Sequence, residues 1–136
     1  MDQQPLLLAT ALLAAALSPA AAQGADSLPP GVTPALIADG EKIFKGAGLC
    51  HACHGPDGKG IEAIKAPNLT DTVWLHSRGT YDDIVRQVTS GVPSEKSKSG
   101  GVMAPRGGTP LSDAQVKAVA AYVWSLRLET RRPRAP

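Results

Sequence analysis

Apolar residues recur at helical spacing in three stretches of the chain, and no stretch alternates apolar with polar as a half-buried strand does. The first runs from Thr33 to about Ala47. Thr33-Pro34 supplies an N-cap and a first-turn proline, and Leu36, Ile37, Ile43 and Phe44 gather on one side. Gly40 lies one turn before Phe44; because glycine weakens a helix, its presence points to a close crossing with another helix. The second stretch is Thr80 to Ser90, with Thr80 and Asp83 spaced as a capping pair, Ile84, Val85 and Val88 as the apolar stripe, and Gly91 as the stop. The third is the strongest. Ser112 and Gln115 open it, and Val116, Val119, Ala120, Val123 and Trp124 repeat to about Leu126, with Tyr122 placed to meet Gly40 and Phe44. The pattern predicts an all-α domain over residues 32–127, three main helices joined by long loops. Residues 93–101 read as an exposed loop and 128–136 as a flexible basic tail.

Ahead of these segments, the run from Leu6 to Leu17 is apolar, and Ser18-Pro19 and Ala20-Ala21-Ala22 follow it. That is the order of a secretory signal and its small-residue cleavage site, so residues 1–22 are expected to be removed after Ala22. The n-region is weak, since no Lys or Arg stands between Met1 and Leu6. Cleavage leaves no permanent membrane span, and retention would leave an anchor. Either way the rest of the chain is expected across the inner membrane, in an oxidising compartment.

Composition sharpens the picture. The 136 residues include 14 Gly, 12 Pro and only five aromatic side chains, too little for a large apolar core, so something other than protein is expected to help fill the middle. A net charge of +2, with no basic run outside the tail, excludes a nucleic-acid binder.

The chain has two cysteines, and both lie in Cys50-His51-Ala52-Cys53-His54. C-x-x-C-H is the attachment signature for c-type haem. Residues three apart on a helical turn share a face, so both thiols reach one edge of a porphyrin, and His54 then presents its imidazole to the iron. A redox disulfide would be expected between a strand and a helix, whereas Gly55-Pro56-Asp57-Gly58 follows here. A zinc site would need a second ligand pair, and beyond His51 and His54 only His76 remains. His51 reads as a solvated position within the motif.

The other side of the iron can take Met, His, Lys, water or nothing, and that choice separates a carrier from a haem catalyst. Beyond the leader there is one methionine, Met103, inside Gly100-Gly101-Val102-Met103-Ala104-Pro105, a stretch that cannot be regular helix. Met103 is the favoured ligand; His76, in a polar turn, is the competitor and reads as surface. Lys45, Lys59 and Lys65 flank the motif and could steer an acidic partner.

Taken together, residues 32 to 126 resemble a class I c-type cytochrome. More narrowly, Cys53-His54-Gly55, Gly58-Lys59-Gly60, Ala66-Pro67-Asn68-Leu69, Trp74-Leu75 and Leu111 to Leu126 are similar to the haem domain of the third subunit of cbb3-type oxidases. The chain departs from that subunit in having one haem motif instead of two, and Ala104 intervenes between Met103 and Pro105. The resemblance implies the class I cytochrome c fold wrapped around one covalently bound haem c. It also implies that the Pro67 carbonyl accepts the second ring N–H of His54 and that Trp74 packs near the haem edge or propionates. The function it implies is a periplasmic, monomeric, non-enzymatic electron carrier. Its single electrons would pass between a donor and an acceptor protein: a dehydrogenase, an oxidase or another cytochrome. The alternatives are a haem enzyme or gas sensor with an open sixth site, and a tightly bound subunit of a dehydrogenase or oxidase complex.

Overall fold

The structure, a computed structural model, describes residues 27–129. The expected leader lies outside them, as does the tail beyond Glu129. Four α-helices follow in order: α1 (Pro34–Lys45), α2 (Cys50–His54), α3 (Tyr81–Ser90) and α4 (Asp113–Glu129). Short 3-10 turns at Glu62–Ile64, Ser94–Lys96 and Pro105–Gly108 punctuate the connections. Among the described residues, β-pairing is confined to two isolated bridges, Ile61 with Ala66 and Val92 with Met103. No helix among them is long and apolar enough to cross a membrane.

The helix ends follow from local chemistry. Thr33 Oγ1 accepts the Leu36 amide at 3.1 Å, satisfying a donor that the first turn of α1 leaves orphaned. Lys42 and Lys45 in the last turn of α1 complement its negative end. Thr80 caps α3 through the Asp83 amide at 3.2 Å. At α4 the cap is reciprocal, with Gln115 N donating to Ser112 Oγ at 3.2 Å and Ser112 N donating to Gln115 Oε1 at 2.9 Å. Two boundaries differ from the sequence reading. α1 stops at Lys45, where Gly46 takes over, and α4 runs on to Glu129, so Leu128 and Glu129 belong to the helix and not to the tail; Leu128 packs against the core.

The core is the crossing of α1 and α4. A β-carbon at Gly40 would run into the Ala118 carbonyl of α4, so only glycine lets the backbones approach this closely. One turn on, Phe44 is fully buried and meets Tyr122 edge-on, ring centroids 5.2 Å apart. Ala118 to Trp124 of α4 are all buried, because α1 covers one side of the helix while α3, through Ile84 and Val88, covers another. Arg127 lies over the Trp124 ring at 4.3 Å and donates to the Gly79 carbonyl at 3.1 Å, joining the end of α4 to the loop that precedes α3.

Candidate functional site

Past α1 the backbone reverses through Leu49, a non-glycine residue at φ 51°, and enters the single turn of α2. That turn puts Cys50, Cys53 and His54 on one wall of a cavity. Both cysteines are free thiols, Cys50 half-buried and Cys53 exposed. Burial, and then the neighbouring Cys53, push the Cys50 thiol up to about 11, against a hydrogen bond that lowers it. His51 is not the solvated residue its position suggested. It is half-buried, and its Nδ1–H donates to the Phe44 carbonyl at 3.1 Å, pinning α2 to the end of α1.

His54 is fixed by the loop that follows. Gly60 N donates to the His54 carbonyl at 2.8 Å, and Gly60, at φ 86°, packs so closely on Ala66 and Pro67 that no β-carbon fits. The Pro67 carbonyl is thereby brought within 3.0 Å of His54 Nδ1. A carbonyl only accepts, so Nδ1 carries the proton and Nε2 keeps its lone pair. Burial lowers the basicity of His54, and the Pro67 bond partly restores it.

Met103 lines the same cavity. Its backbone exchanges two hydrogen bonds with Val92, Val92 N to Met103 O at 2.8 Å and Met103 N to Val92 O at 3.0 Å. Gly91, at φ 68°, lets the Met103 carbonyl lie against it. Arg106 anchors the far end of this loop to the start of α4, donating to the Leu111 carbonyl and to Asp113 Oδ1, each at 2.6 Å.

The cavity measures about 420 Å³, within the range of about 300 to 1,000 Å³ that small-molecule sites occupy. Ile84, Val88, Val119 and Val123 give it an apolar floor, and Leu49, Ile64, Val73 and Val102 stand at its mouth between 49% and 68% exposed. Trp74, half-buried, lines it with the indole laid against Gly79. His76 also lines it and is only partly exposed, contrary to a plain surface position. Its Nε2 accepts the Lys98 amide at 2.8 Å, so that nitrogen is already engaged. Partial burial lowers the basicity of His76, and the Lys98 charge lowers it further. One polar atom in the wall, Gln87 Oε1, is buried without a partner. Among the described residues no three His, Cys, Asp or Glu side chains are grouped to hold a bare metal ion. What the wall offers is the His54 imidazole oriented by Pro67, the His76 imidazole with Nε2 already engaged, one thioether, two thiols and an otherwise largely apolar surface with a free polar atom. That set fits haem, a flat apolar macrocycle with a metal at its centre and polar groups at one edge.

Known proteins agree with the fold and the fit. The cytochrome c family pattern matches residues 37–127, and the chain belongs to that family. It is similar to the cbb3-type cytochrome c oxidase subunit CcoP of Rubrivivax gelatinosus, 40% identical over 81 residues, which are 57% of this chain and 23% of that protein. The CcoP subunit of Rhodobacter capsulatus is 44% identical over 93 residues, 64% of this chain and 28% of that protein. The FixP subunit of Azorhizobium caulinodans is 41% identical over 97 residues, 71% and 29%. The chain thus spans less than a third of the length of these relatives. A chain of the reducing HAO-like protein complex of Kuenenia stuttgartiensis shares the fold, with a TM-score of 0.50 and 24% identity over 74% of this chain and 47% of that one.

Proposed function

We propose that the chain is a monohaem electron carrier of the periplasm, exported by the leader that residues 1–22 resemble, and not itself an enzyme. The observation that carries this reading is that a single cavity unites the C-x-x-C-H turn, an imidazole oriented by Pro67, and Met103. Bound haem supplies a one-electron iron couple. Cys50 and Cys53 tether it as thioethers, so retention does not depend on affinity in a domain with few aromatic side chains. His54 would hold the iron through Nε2, its tautomer set by the Pro67 carbonyl. Met103 would supply its thioether as the second ligand, on a loop held at both ends by the Val92 pairing and the Arg106 clamp. A rigid pair of ligands keeps bonding nearly constant between oxidation states, which lowers the cost of electron transfer. A soft thioether favours the reduced state. Trp74 and Gln87 contribute polar edges to the wall.

The names of the relatives favour one variant of this reading, in which the domain stays bound to an oxidase complex. The site chemistry is then the same and the partner permanent; co-purification through a high-salt wash separates the two cases. The carrier reading is tested by intact-mass measurement and redox titration of protein matured in cells. It requires one haem per chain that survives denaturation, and a single reversible one-electron transition. Haem that extracts on denaturation, or an irreversible transition, overturns it.

A further inference from the structure

The lysines that flank the Cys-His turn in sequence do not form one open positive surface. Lys45 pairs with Glu41 at 2.6 Å and Lys59 with Asp57 at 3.2 Å, while Lys65 lines the crevice itself beside Gly100. The fold gathers four further cations elsewhere. Arg78 from the loop before α3, Arg86 from α3, and Lys96 and Lys98 from the segment after it line a second hollow of about 400 Å³. Its one carboxylate is Asp83, which both guanidiniums share: Arg78 Nε donates to Oδ2 at 3.2 Å and Arg86 pairs with Oδ1. That arrangement neutralises one positive charge and leaves the hollow strongly positive. Asp82 and Glu95, on the same elements, do not line it.

The position of this hollow gives it a role. It shares His76, Gln87 and Val92 with the crevice, so the two hollows are separated by one layer of side chains. The unpartnered Gln87 oxygen is in that shared layer. Arg78 and Arg86 are 81% and 64% exposed at their side chains, open to a partner from outside. Resting on the electron-carrier reading, we propose that the hollow receives a cluster of carboxylates from the surface of the protein that exchanges electrons with this one. The charges steer the encounter, and the apolar mouth of the crevice makes the close contact. This division suits a short-lived redox complex, whose interface stays below about 1,200 Å².

The test uses the haem-loaded protein and two oxidants of opposite charge, hexacyanoferrate(III) and tris(phenanthroline)cobalt(III). In each reaction one electron leaves the reduced protein, and the oxidant gains it, becoming hexacyanoferrate(II) or the cobalt(II) complex. Lys96→Glu/Lys98→Glu is compared with Lys45→Glu/Lys59→Glu, which alters net charge equally. At low ionic strength the first pair should slow oxidation by hexacyanoferrate(III) about tenfold and speed the cobalt reaction. The control should stay near wild type, and salt should erase the differences. In parallel, hexaglutamate peptide is titrated into the wild-type protein and amide shifts are mapped by NMR; they should centre on residues 76–78 and 86–98. Equal rate effects from both double variants, no effect from either, or peptide shifts centred on Lys45 and Lys59 overturn the proposal. Failure of the reduced protein to react with either oxidant refutes the electron-carrier reading itself.

Discussion

The crossing of α1 with α4 and the wall of the crevice are built on different principles. At the crossing, protein fills protein: Gly40 admits the Ala118 backbone, and Phe44, Val116 and Val119 are almost wholly enclosed by other side chains. The wall, above a floor supplied by α3 and α4 and beside the single turn of α2, is made largely of loops. Positive-φ glycines, the Val92–Met103 bridge and single side-chain bonds such as His54 to Pro67 hold it, and its apolar residues face a cavity. One region is complete without a cofactor, and the other owes much of its burial to whatever fills the cavity. Stability in this domain is therefore unevenly distributed, as expected when local opening free energies track local packing.

The largest effect follows from keeping haem out. In Cys50→Ser/Cys53→Ser, amides of residues 61–79 and 99–108 should lose most of their hydrogen-exchange protection while those of α1 and α4 keep more of theirs. Uniform loss would dissolve the distinction between the regions. The converse change attacks the crossing. Gly40→Val should cost about 3 kcal/mol by overpacking, read by denaturant titration, yet leave the optical spectrum of the bound haem in place. A spectrum displaced by that substitution would show that the two regions are coupled.

His51 lies on the border between them. Replacing it by leucine leaves the Phe44 carbonyl without its donor and should cost about 1 to 2 kcal/mol, with faster exchange confined to residues 44–54. The smallest effect is the pH response of Asp83, whose carboxyl is held down to about 2, first by the hydrogen bond from the Arg78 side chain. Since that lies below the ordinary carboxylate value of 3.8, the stabilisation is complete above that value and is lost as pH falls through about 2. Asp83→Asn should accordingly flatten the acid limb of the unfolding curve between pH 4 and 2 and change little at neutrality. An acid limb identical to wild type would remove Asp83 from the account.

The same contrast explains what the sequence discloses. Helix caps at Thr33, Thr80 and Ser112 are legible because the partner sits within three residues, and the apolar stripes because burial repeats with the helix. Gly40 announced a close crossing because a glycine there costs the helix stability that only packing offsets. The C-x-x-C-H motif is legible because its chemistry is local. The bonds of the wall are not: His51 reaches back seven residues to Phe44, and His76 takes the Lys98 amide across twenty-two. Nothing in a linear pattern reports such pairings, and for that reason both histidines looked more solvated than they are. The positive hollow escapes for the same reason, since Arg78, Arg86, Lys96 and Lys98 are single charges in three separate segments until the fold collects them.

The proposal at the centre of this account is that His54 and Met103 both hold the iron of a haem in this one cavity. Optical spectra of the oxidised and reduced protein, with and without carbon monoxide, on wild type and Met103→Ala, test it most directly. The account predicts a far-red charge-transfer band in oxidised wild type that Met103→Ala lacks, and carbon monoxide binding in the variant alone. Ready binding of carbon monoxide by the wild type would contradict it and make the domain a haem catalyst or sensor with an open site.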